Sequence, residues 1–185
     1  MSGSERLRDA RHLVRRFVGS VRPVVLSGAE EAWALDRLSP AERNLWLRQD
    51  RRDRAHSIAV ARGTIELLGG DPADEVVVAA LCHDVGKGVA RVGVIGRVIA
   101  TLLEPLVSEQ RAEQWSWRSG LAGRIGMYLR YPALGADLLA EGGAAPMVVA
   151  WAREHHLPPE DWTIDRSTAE ALRLADDAAT MLGTN

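Results

Sequence analysis

The chain has 185 residues, 46% hydrophobic and 26% charged, a composition that excludes wholesale disorder and leaves room for one core rather than two. A formal net charge of -2 gives no global pull toward nucleic acid, although residues 1–22 hold six arginines against Glu5 and Asp9. Cys82 is the only cysteine, so an internal disulfide and a cysteine-rich zinc module are excluded and a reducing compartment fits.

Apolar residues recur three and four positions apart, few segments alternate, and only 5% of residues are aromatic, so the sequence predicts an all-helical protein. A first helix, about Ser4 to Val18, sets Leu7, Ala10, Val14 and Phe17 against its arginines and is limited by Pro23. A short helix over Ala29–Leu38 precedes Ser39-Pro40-Ala41-Glu42, a capping box that opens a helix running to about Asp50. Arg51 to Arg54 reads as a solvated charged face, after which His56, Ala59, Val60 and Leu67 share the inward side of a helix ending at Gly69-Gly70. Asp71-Pro72 opens the next helix, which carries Val76, Ala79, Ala80 and His83 and stops near Gly86. Further helices are expected over 95–106, 121–131, 134–141, 146–156 and 168–182, the last introduced by Ser167-Thr168-Ala169-Glu170.

The opening residues lack the apolar run and cleavage site of a secretory signal. The most apolar stretch, Val89 to Val107, is interrupted by Arg91, Arg97, Glu104 and Pro105. The expectation is a cytoplasmic protein without a membrane-spanning helix. That same stretch, followed by Trp115 and Trp117, has the residue types of a helix lying on a membrane interface, a buried core helix or a dimer contact.

Chemistry enters at Cys82-His83-Asp84-Val85-Gly86-Lys87. Adjacent residues on a helix diverge by about 100°, so His83 and Asp84 can offer an imidazole and a carboxylate to either side of one cation. Two ligands hold a metal weakly, and inside helical bundles the others arrive from facing helices. The candidates are His12, His56, His155, His156 and some acids.

His56, then His83-Asp84, then Asp176 in Leu174-Ala175-Asp176 is an order that resembles the HD-domain superfamily of metal-dependent phosphohydrolases, with His83-Asp84-Val85-Gly86-Lys87 similar to its HDIG subgroup. The resemblance implies an HD-type bundle over residues 51–182, with an apolar and Trp-containing insert at about 89–120. It also implies an N-terminal helical extension, residues 1–50, packed on that core. It makes His56, His83, Asp84 and Asp176 the ligands of one divalent metal ion: manganese, iron, cobalt or zinc by ligand type, with magnesium as an alternative. It implies hydrolysis of a phosphate ester, of a nucleotide or related phosphometabolite, with Asp84 able to accept a proton and Lys87 supplying charge for phosphate.

In Tyr131-Pro132-Ala133-Leu134-Gly135-Ala136 the frame of the two-metal branches is kept but Tyr131 replaces a histidine, and a phenol is a poor ligand for a second ion. His155 and His156 are then candidates for phosphate binding or for general acid, and Tyr131 for substrate contact. No Gly-Tyr-Pro follows His156, so the cyclic di-GMP hydrolases of the superfamily are not implied. The diadenosine tetraphosphate hydrolases are similar in size, with a His-Thr pair where this chain has His155-His156. The competing reading is an inactive sensor or scaffold that binds a nucleotide, peripheral to a membrane. Partners expected beyond the substrate are a second copy of the chain and a membrane surface, with nucleic acid not expected.

Overall fold

A computed structural model describes residues 26–90, 92, 94–103 and 106–183. The expected first helix, with His12, lies outside them. The described residues are helical without a strand, as the apolar spacing requires. In chain order the helices are α1 (Gly28–Arg37), α2 (Pro40–Trp46), α3 (Arg51–Leu67), α4 (Asp74–Cys82), α5 (Lys87–Ala90) and α6 (Val94–Leu103). They are followed by α7 (Glu109–Ser116), α8 (Gly120–Leu129), α9 (Tyr131–Glu141), α10 (Pro146–Glu154), a 3-10 turn over Pro159–Asp161, and α11 (Arg166–Gly183).

Local chemistry sets most of the boundaries. The Ser39 amide donates to Glu42 Oε2 at 2.8 Å while Ser39 Oγ accepts from the Glu42 amide at 3.4 Å, the capping box expected from the sequence. Asp50, expected as the end of that helix, instead caps the next one by accepting from the Asp53 amide at 2.9 Å. Gly69 and Gly70 end α3 with φ of 88° and 105°, a region open to glycine and costly for residues with a Cβ. α4 begins later than expected, at Asp74, with Ala73 (φ -55°, ψ 144°) as its N-cap and no side-chain cap. α11 is capped by Asp165, not Ser167: one carboxylate oxygen accepts from the Thr168 amide at 2.9 Å and from Ser167 Oγ at 2.6 Å. α7 was not expected at all, and is capped by Ser108.

α4 is apolar on every side past its first turn, and Val76 through Cys82 are all buried, so it runs through the centre against α3 and α10, with α11 packed on α3. Ile58, Val60, Leu81, Leu139, Trp151 and Leu172 fill the space between, and Leu26, Ala34, Leu38, Leu45 and Trp46 join the same core. The Arg51–Arg54 run departs from a simple solvated face. Asp53 is buried, Arg51 donates to the Leu26 carbonyl at 2.7 Å, and Arg54 pairs with Glu31. Trp46 Nε1 donates to Ser57 Oγ at 2.9 Å, which fixes the turn of α3 that carries His56.

After α4 the chain turns through His83–Gly86 into α5, and α9 crosses close to that turn. A Cβ on Gly86 would overlap the Tyr131 carbonyl and sit 3.0 Å from the Gly135 amide. Gly86→Ala therefore pushes α9 away from the turn, and the expected loss is about 2 kcal/mol or more, read as a lower urea midpoint with an unchanged slope.

Candidate metal centre

Five helices deliver the polar groups to one place. α3 brings His56, the end of α4 brings His83 and the following Asp84, α11 brings Asp176, and the end of α10 brings His155 and His156, with Tyr131 from the start of α9. His56 Nε2 is 2.9 Å from Asp176 Oδ1, joining residues 120 positions apart. His83 Nδ1 donates to the Ala80 carbonyl at 2.8 Å, which turns Nε2 toward the cluster, 3.4 Å from Asp84 Oδ2 and 3.9 Å from Asp176 Oδ1. One ligand atom each from His56, His83 and Asp84 lie within 4.8 Å of one another, close enough to hold a metal ion.

The donor set fits such an ion for a reason the hydrogen bonds expose. His83 and Asp84 are each 2% exposed, yet His83 Nε2 and Asp84 Oδ1 have no hydrogen-bond partner. Leaving a buried polar atom unpaired costs about 1–3 kcal/mol, more for a charged group. Two such atoms beside a second imidazole and a second carboxylate form the mixed nitrogen and oxygen environment that first-row divalent ions take.

The electrostatics follow from the crowding. Burial pulls the His83 pKa down, but the charges of Asp84 and Asp176 outweigh it and raise it to about 9. Burial opposes ionisation of Asp84, yet His83 and Lys87 hold its carboxyl well below the usual range. Asp176 behaves likewise, lowered to about 2 against its burial by the His56 hydrogen bond and the His83 charge.

Around this centre stand the other residues singled out from the sequence. Lys87 Nζ lies 2.5 Å from Asp84 Oδ2 and 4.7 Å from the centre of the Tyr131 ring, and Asp84 raises its pKa against burial. His155 donates from Nδ1 to the Ala152 carbonyl at 3.0 Å, which leaves Nε2 3.7 Å from Asp84 Oδ1 and 3.4 Å from the Tyr131 hydroxyl. Tyr131 OH also makes a short contact with His156 Nε2. Burial and the neighbouring His155 lower His156 to about 4, and burial raises Tyr131 well above its ordinary value, so near pH 7 a neutral phenol donates to a neutral imidazole. Cys82 is fully buried behind the site.

A cleft of about 490 Å³ opens from His155, His156 and Asp176 toward Leu157, Arg173, Asp177 and Thr180. Sequence reasoning missed Arg173 and Thr180 as part of this wall, although their offsets of three and four residues from Asp176 put all three on one face of α11. Asp177, expected to be a solvent-facing or supporting acid, is half exposed at that rim, 3.3 Å from Arg173. Comparison of the chain with protein-family models, with curated proteins and with solved structures finds no match.

Because His83 carries a proton below about pH 9 in the ion-free protein, uptake of a divalent ion near pH 7 must displace it. Calorimetric titration with Mn²⁺ in buffers of different ionisation enthalpy is expected to show release of about one proton per ion bound. Heats independent of the buffer would contradict the assignment of His83 Nε2 as a ligand.

Proposed function

We propose that the protein is a metal-dependent phosphohydrolase of the HD-domain type that cleaves a phosphate ester of a nucleotide or related phosphometabolite. The observation that carries this reading is the convergence of His56, His83 and Asp84 with two buried ligand atoms unpaired, Asp176 lying 2.9 Å from His56 beside them. His56, His83, Asp84 and Asp176 would hold a single ion of the manganese, iron, cobalt or zinc type. When bound, such an ion supplies water activation and charge neutralisation at a phosphoryl oxygen.

The chain's own residues account for the remaining steps. Lys87, braced by Asp84 and the Tyr131 ring, presents a fixed ammonium to phosphate oxygens beside the ligands. His155 donates from Nδ1 to the Ala152 carbonyl, so its Nε2, facing Asp84 Oδ1, is suited to accept a proton from the attacking water and pass it to the leaving oxygen as the ester bond breaks. With Nε2 occupied by the Tyr131 hydroxyl, His156 has Nδ1–H left to donate to a phosphate oxygen. Tyr131, buried and held neutral, fills the place where a further imidazole would favour a second ion, which supports a one-metal site.

The alternative is a catalytically inactive sensor or scaffold that keeps the metal and phosphate pocket for nucleotide binding, and the Lys87–Asp84 pair, an ammonium fixed beside the pocket, would serve that role as well. Turnover separates the two. Purified protein loaded with Mn²⁺ is expected to release phosphate or a monoester from some members of a nucleotide and phosphoester panel, and Lys87→Ala to lower kcat/KM by about 100-fold with metal content unchanged. Binding of nucleotides without turnover by any metal-loaded form would favour the sensor. Tyr131→His is expected to take up a second ion that wild type does not hold, measured as metal-to-protein ratio after removal of loose ions.

A further inference from the structure

The insert that separates the Lys87 turn from Tyr131 carries a surface that the chemistry of the site does not use. Residues 88–130 hold six basic residues against three acidic ones, in a chain whose net charge is -2. Within that segment α7 and α8 form a tight hairpin. A Cβ on Gly126 would overlap the Ser116 amide nitrogen and lie 2.7 Å from the Ala112 carbonyl, so the two helices touch along glycine. α6 packs on α8, and Leu121 Cδ1 lies 3.9 Å from where a Gly96 Cβ would be.

At the closed end of this hairpin Trp117 is 83% exposed and Leu121 57% exposed. Arg118 lies between them in sequence, with Arg124 one turn beyond Leu121 on α8 and Arg111 on α7, and all three arginines are exposed. Among the described residues none of the three makes an ion pair, whereas Arg130, nearer the site, pairs with Glu113 at 3.6 Å. An indole and a leucine cost free energy in water, while unpaired guanidinium groups beside them seek negative charge. An amphipathic interface rich in Trp and Arg, over anionic headgroups, satisfies both demands at once.

We propose that the Trp117–Leu121 end of the α7–α8 hairpin docks the protein on an anionic lipid bilayer, with Trp117 and Leu121 entering the interface and Arg111, Arg118 and Arg124 over the headgroups. No described helix is long and apolar enough to cross a membrane, so the contact is peripheral and reversible. It does not depend on what the metal centre does.

The test is flotation of the full-length protein with phosphatidylcholine vesicles, with and without about 30% phosphatidylglycerol. Wild type is expected to bind the anionic vesicles about tenfold more strongly and to be released by high salt. Trp117→Ala and the Arg118→Glu/Arg124→Glu pair are each expected to lower binding about tenfold while the melting temperature stays the same. Brominated acyl chains should quench part of the tryptophan emission of wild type and less of Trp117→Phe, a readout that survives if the charge variant folds poorly. Absence of vesicle binding overturns the proposal, as does unchanged binding in the variants, which would place the contact in the basic residues 1–22. Light scattering that shows a dimer dissolved by the same substitutions would also overturn it, since a second copy would then cover the face.

Discussion

The structure turns on two charged groups placed where charge is most expensive. His83 and Asp84 follow directly on α4, whose residues from Val76 on are all buried, and each has one polar atom without a hydrogen-bond partner. Burying an ion without adequate partners costs several kcal/mol, so the surrounding helices are arranged around compensation. α3 and α11 pack on each other and bring His56 and Asp176 within 2.9 Å, and Lys87 folds back over Asp84 one turn later. The close approach of α9 at Gly86 brings Tyr131 and keeps it against the ammonium.

Much of this was legible in the sequence where a signal was local. Three- and four-residue spacing marked the helices, and the Ser39–Glu42 box placed one start correctly because both of its hydrogen bonds lie within four residues. The errors arose where two local signals competed. Asp165 took the capping role from Ser167 because a carboxylate two residues earlier accepts several hydrogen bonds at once, and α4 starts past Asp71-Pro72, at Ala73, where no side chain caps it. For the site, His83-Asp84 could be read as a ligand pair from adjacency alone, while His56 and Asp176 entered through resemblance to a motif order. Their convergence is a tertiary fact, as is the wall of Arg173 and Thr180 beside Asp176, whose pattern on α11 is not distinguishable from an ordinary solvent face.

Tyr131 links the centre to the rest of the cleft. Its hydroxyl reaches both His155 and His156, and its ring carries Lys87, so one side chain sets the orientation of three neighbours. A histidine there would free His156 Nε2 and put another imidazole beside Asp84. The phenol instead commits the second histidine to a hydrogen bond, and under the proposed function a single ion would leave the remaining phosphate charge to be met by side chains. The insert between Lys87 and Tyr131 joins the site through α5 and α8, so the surface proposed for lipid contact is built on the same frame as the candidate metal centre.

The claim on which the account rests is that the unpaired His83 Nε2 and Asp84 Oδ1 are ligands of one ion. Anomalous scattering from a crystal of the protein soaked in Mn²⁺ tests it most directly. The account predicts one strong peak within about 2.4 Å of His83 Nε2 and Asp84, shared with His56 and Asp176. A site that stays empty at saturating Mn²⁺, with Lys87 still on Asp84, or a peak bound only by His155 and His156, would contradict it.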